Sequence, residues 1–104
     1  MSTHVIEAVR FNAAGDRVEQ VRWGRVIPTN GGPLAWDAKT SEQDVSLVVD
    51  ALNFGDEVLT VFAVGPGTVL GPRVQVVIHE HGVEGIATVG HDMPGRTLSD
   101  LPRF

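Results

Sequence analysis

Apolar residues change their spacing along this chain, and the changes mark its elements. Val5 to Phe11 is rich in apolar and β-branched residues and ends on turn chemistry, Asn12-Ala13-Ala14-Gly15-Asp16. Arg17 to Val26 then alternates, with Val18, Gln20 and Arg22 on one side and Glu19, Val21 and Trp23 on the other. Two such runs around a glycine-containing loop predict an antiparallel hairpin. Its register stays open, because Val21-Arg22-Trp23-Gly24 reads as a place for a bulge. Pro28 to Pro33 is loop by composition, and Leu34 and Trp36 are read as anchors that pin it to the body.

The period then lengthens. Val45, Val48, Val49 and Leu52 fall at i, i+3, i+4 and i+7, which predicts one amphipathic helix over 41–54. Ser41 is its expected N-cap, with Asp44 completing an approximate capping box. Glu42 and Asp44 place negative charge at the positive end of the helix dipole, and Gly55 is the expected left-handed terminator.

Glu57 to Val64 is apolar on both faces and predicts a central strand covered on both sides. Residues 65–72 read as a long hairpin loop. Arg73 to Glu80 reads as a strand with Val74, Val76 and Ile78 on one face. His81-Gly82 turns the chain, and Val83 to Val89 forms a last strand. In the tail, 91–104, turn residues come first and Leu98, Leu101 and Phe104 later, so part of it is expected to pack back.

The order is β-β-α-β-β-β, one α+β domain over 1–104: a mainly antiparallel sheet of about five strands with one packed helix. One helix covers one face of such a sheet. The other face is expected to curl into a partly open barrel, to meet the tail or to meet a second subunit. Self-association as a homodimer is therefore an expectation.

Composition removes several functions. A chain of 104 residues, 42% hydrophobic and 20% charged, is a small globular domain. Thirteen acidic against eight basic residues give a net charge of -5, whereas a duplex binder needs surplus cations to displace counterions. The absence of cysteine excludes disulfides, zinc fingers, Fe–S ligation and thiol nucleophiles. No secretory pattern opens the chain. The longest uncharged stretch, Val58 to Pro72, is broken by Gly65, Pro66, Gly67 and Gly71 and falls short of the ~20 apolar residues of a spanning helix. A soluble cytoplasmic protein without membrane partners is expected.

Candidate chemistry is sparse. Gly65-Pro66-Gly67-Thr68-Val69-Leu70-Gly71 resembles a phosphate cradle only in its glycines, since a strand follows it and Pro66 removes a donor. His79 and His81 share a strand face, with His91 and Asp92 in a nearby loop, a spacing that suits a divalent metal. Glu80 is expected at a strand end, open to solvent or paired with arginine. Ser41, Ser46 and Ser99 lack a nucleophile-elbow motif. Arg10, Arg17, Arg22 and Arg25 cluster with Trp23 in the first hairpin, a combination that binds single strands by stacking and charge. Glu7, Asp16, Glu19 and Asp37 lie in or near the same segment and favour cross-strand pairing instead. The leading expectation is a non-catalytic interaction module without a cofactor. The alternatives are a metal protein or metal-dependent hydrolase using His79, His81, His91 and Asp92, and a single-strand binder using Arg10, Arg22 and Trp23.

Several features recur together: Val9-Arg10-Phe11 ahead of a hairpin, Asp44-Val45, Val48-Val49-Asp50-Ala51-Leu52 with Gly55, then Val58, Thr60, Gly71, Val74 and Val76-Val77. Leu98-Ser99-Asp100-Leu101-Pro102-Arg103-Phe104 closes the set. Over nearly the whole chain, apart from Thr29 to Trp36, this resembles a family of small bacterial domains known as domain of unknown function 3892. The resemblance implies an architecture and assigns no sites.

Overall fold

The computed structural model describes residues 2–15, 17–27, 35–37, 39–64, 67–79, 82–89 and 98–104. Their elements are β1 (Thr3–Phe11), β2 (Val18–Ile27), β3 (Ala35–Trp36), β4 (Ser41–Asp44), α1 (Val45–Phe54), β5 (Glu57–Val64), β6 (Gly67–Ile78) and β7 (Glu84–Thr88), followed by a 3-10 turn, Leu98–Asp100. The strands form one sheet in the order β3-β2-β1-β5-β6-β7, with β4 also paired to β2. All pairings are antiparallel except β1 with β5. The α+β class stands. The strands among the described residues number seven, not about five, because β3 and β4 each add a short segment to β2, and the sheet does not close into a barrel.

The first hairpin forms as read, and one of its two register shifts falls opposite Arg22 and Trp23, within the stretch read as a bulge site, with the extra residue on β1 instead of β2. Ile6 faces Trp23 while Ala8 faces Arg22, so Glu7 is the extra residue; Glu19 is the extra residue on β2, between Arg10↔Gln20 and Phe11↔Val18. A bulge at Glu7 shifts the alternation by one. It places Ile6 and Val9, both 0% exposed, in one cluster with Val21 and Trp23. Val5 and Ala8 are buried as well and lie outside that cluster.

The helix begins later than the sequence suggests. Ser41–Asp44 pairs with Trp23–Gln20 as a strand, so Ser41 is not a cap. Asp44 takes that role, with extended backbone angles (φ -65, ψ 148) and its carboxylate accepting from Ser46 N at 3.0 Å. That hydrogen bond lowers the Asp44 pKa. Both residues suit an N-cap. The backbone hydrogen bonds that β2 offers decide between them. The predicted stripe then packs as expected: Val48 and Val49 are buried, with Val45 and Leu52 at the margin of the core. Gly55 ends the helix at φ 107.

Residues 67–72, read as loop, are strand. Gly67 to Leu70 pairs with Val64 to Val61, and ladder pairing overrides the glycine and proline content. Pro72 lies where the register shifts between Leu59 and Val61, so its missing N–H costs the ladder nothing, and its carbonyl accepts from the buried Thr60 hydroxyl at 3.0 Å. Gly71 is required there because a Cβ would strike the Phe62 ring at 2.5 Å. On β5, Val58, Thr60 and Phe62 are buried, whereas Leu59 and Val61 are half-buried.

The tail packs back, as its leucines imply. Leu98 and Leu101 enter the core. Val9 N donates to Pro102 O at 2.9 Å and Phe104 N donates to Val9 O at 3.3 Å, a parallel bridge on β1. β5 pairs with β1 only from Thr3 to Ile6, so the tail takes the stretch of edge that β5 leaves.

The capping assignment makes a direct prediction. Asp44→Ala should lower stability by about 1 kcal/mol, and Ser41→Ala by no more than about 0.5 kcal/mol. Urea unfolding followed by circular dichroism measures both; equal losses would contradict the shifted cap.

Candidate functional site

Of the sequence-derived metal set, the described residues contain His79 alone. His81, His91 and Asp92 lie outside them, as does Glu80. His79 closes the β6–β7 turn through its main chain, its N donating to Val83 O at 2.7 Å and its O accepting from Gly82 N at 3.2 Å. The Nε2–Cδ2 edge of its ring abuts Gly85, where any Cβ would collide with Nε2. Nε2 is buried there with no hydrogen-bond partner among the described residues. A ring nitrogen buried against backbone is closed to an ion. In this rotamer metal ligation by His79 is confined to Nδ1. No group of three or more His, Asp or Glu among the described residues is placed to hold a metal.

Three of the four first-hairpin arginines turn on the protein's own groups. Arg22 pairs with Glu42 at 2.7 Å, and Arg25 Nε donates to Asp37 at 2.8 Å. Arg10 and Arg22 both lie over the Phe104 ring, 5.2 and 4.9 Å from its centroid, and Arg10 Nε donates to Phe104 O at 3.1 Å. Arg103 covers Phe11 at 4.3 Å. Trp23 is 8% exposed and belongs to the core. The stacking platform that single-strand binding requires is therefore not formed by Trp23. Trp36, the expected loop anchor, packs its ring on Gly24 and stays half exposed, while Leu34 lies outside the described residues.

The densest polar arrangement was not visible as a motif. His4 stacks on Trp23 with centroids 4.5 Å apart, and its Nε2 lies 3.4 Å from Asp56 Oδ2. The other carboxylate oxygen accepts from Ser2 N at 2.9 Å, and Glu57 N donates to Ser2 O at 2.9 Å. The Ser2 amide, then His4, hold the Asp56 pKa below its ordinary value of 3.8. These groups lie 52 to 54 positions apart, and the parallel β1–β5 pairing brings them together. His4 and Asp56 are both largely shielded from water, at 18% and 13% exposure. They form a clasp between β1 and the turn after α1.

Beside Asp56 runs a groove of about 380 Å³ between the end of α1 and β6. Leu52, Val58 and Val74 form its apolar wall, and Arg73 and Glu57, 3.5 Å apart, flank it. The volume reaches the lower end of the range for small-ligand pockets. Its cation and its carboxylates lie together, so the groove offers no field of one sign. The glycines read as a cradle are divided: 65–66 lie outside the described residues, and Gly67 to Gly71 are committed to the β5 ladder. Among the described residues no helix is long and apolar enough to cross a membrane. No family model, curated protein or solved structure matches this chain.

Two measurements follow. Gly85→Ala should push the His79 ring from its seat and cost about 1–3 kcal/mol, and His79→Ala in the same chain should return much of that loss; strictly additive losses would show that ring and glycine do not touch. Asp56→Asn should be less stable than the parent at neutral pH, because a carboxyl with a lowered folded pKa stabilises only while ionised. The gap should close as pH falls from above 3.8 to below the still lower folded value. Thermal melts across pH 2 to 7 would contradict the clasp if the gap stayed constant.

Proposed function

We propose that this chain is a non-catalytic interaction module, homodimeric or docked on another protein. The supporting observation is the outer face of α1. Leu47 is 44% exposed and Phe54 84%. Seven residues apart, they share a helix face, on the side away from Val48 and Val49. Fully burying such a side chain is worth about 1.5–3 kcal/mol, and a partner surface would recover much of that for each. Meanwhile three of the four arginines that sequence reading placed in the first hairpin, Arg10, Arg22 and Arg25, are engaged within the chain. A cytoplasmic setting and membership in the bacterial family named above belong to the same proposal; the family rests on its shared residues and the closing Leu-Pro-Arg-Phe.

The metal reading of His79, His81, His91 and Asp92 rests on spacing alone, and the inward turn of His79 Nε2 lends it no support. The single-strand reading meets a buried Trp23 and engaged arginines.

The test is native mass spectrometry and light scattering on untagged protein across a concentration series, with affinity capture from the host. A dimer or a specific partner is expected. Leu47→Lys with Phe54→Lys should weaken that association at least tenfold and change stability by no more than about 0.5 kcal/mol. A monomer at every concentration, with no partner captured, would sink the proposal.

A further inference from the structure

β1 changes neighbours halfway along one edge, and the second neighbour is the tail. Val9 spends both main-chain groups there, donating to Pro102 O and accepting from Phe104 N. Pro102 supplies the seat with a carbonyl alone, so its missing N–H is no loss. Leu101, at 3% exposure, fills the core below. On the far side Phe104 packs against two guanidiniums, and one of them, Arg22, is fixed by Glu42 at 2.7 Å. Arg10 reads the main chain too, through its bond to Phe104 O. The main-chain bonds are those that strand addition to a sheet edge uses for affinity, and the two side chains, Leu101 in the core and Phe104 on the opposite side, supply the specificity.

We propose that this edge of β1 is a strand-accepting seat which the chain's own tail fills in this structure, and that its functional occupant is an extended segment of a partner protein. That segment carries a leucine and, three residues on, an aromatic side chain. The inference rests on the reading of the chain as an interaction module. Arg10 and Phe104 are 94 positions apart, so the contacts require nothing of the local chain and form equally well in trans. Chemistry sets the selectivity: two cations over one ring favour an aromatic over an aliphatic side chain. The tail competes from within the same molecule at an effective concentration on the order of millimolar. It therefore acts as a built-in competitor that a partner must displace.

The probe is a fluorescein-labelled peptide of the sequence of residues 98–104, titrated onto the full chain and followed by anisotropy. The Phe104→Ala chain, whose own tail is weakened, should bind it at least tenfold more tightly than the parent. Adding Arg10→Ala and Arg22→Ala should abolish uptake, and a peptide ending in alanine should not bind. No uptake by a folded Phe104→Ala chain up to millimolar peptide overturns the proposal. If that variant does not fold, amide spectra of the parent decide: excess peptide should shift Val9 and Arg22, and unchanged spectra overturn it. A native mass that doubles without peptide uptake, and that falls back on Arg10→Ala with Arg22→Ala but not on Leu47→Lys with Phe54→Lys, gives the seat to a second copy and overturns the partner-protein reading. Failure here leaves the helix-face test untouched, since Leu47 and Phe54 make none of these contacts.

Discussion

One residue of excess in β1 governs this fold. Ile6 and Val9 are three apart, a spacing that a regular strand sends to opposite faces. Both are fully buried in one cluster, and Glu7 resolves the conflict by standing outside the ladder. Val5 and Ala8 have the same spacing and are buried too. The bulge thus lets one strand carry apolar residues in adjacent pairs without exposing either. It also accompanies the change of neighbour, since β5 pairs with β1 as far as Ile6 and the tail begins at Val9. Removing Glu7 would move every later side chain of β1 to the other face.

The charged residues support the same architecture. A net charge of -5 suggests spare carboxylates, yet several of the arginines are placed where an acid or a ring can meet them. Arg22 takes Glu42, which β4 carries because Ser41–Asp44 pairs with β2. Arg25 takes Asp37, just past β3. Exposed pairs of this kind contribute little individually to stability. Their larger effect is on function, because a guanidinium already oriented toward its own chain is a poor collector of phosphates. The two short strands that sequence reading missed are thus also the elements that hold the hairpin's cations.

What was legible in the sequence follows from the range of the interactions that specify it. The helix stripe Val45, Val48, Val49 and Leu52, its terminator Gly55, the hairpin and the bounds of β5 are local, and the residues themselves state them. The helix start was ambiguous because Ser41 and Asp44 are both good caps, and the tie is broken by β2, some twenty residues away. Residues 67–72 look like loop until β5 lies beside them. The His4–Asp56 clasp has no local signature, since it depends on a parallel pairing that alternation patterns do not encode. In the metal set, residue spacing placed His79 on a strand, and only the packing of its ring on Gly85 shows which nitrogen is spent.

The tail joins these strands of argument. Leu98 and Leu101 make it part of the core, so it is structural; Val9, Arg10 and Arg22 grip it from the edge, so it is also a bound ligand in form. A segment can be both when its contacts are mostly long-range and β1 holds its main chain through the two groups of one residue, Val9. The core leucines set how much a competing segment must replace, and the cation-lined position of Phe104 sets which side chain can replace it. Sheet edges left open invite indiscriminate pairing. Filling this one with a proline-containing segment held by two arginines restricts it to occupants of one chemistry.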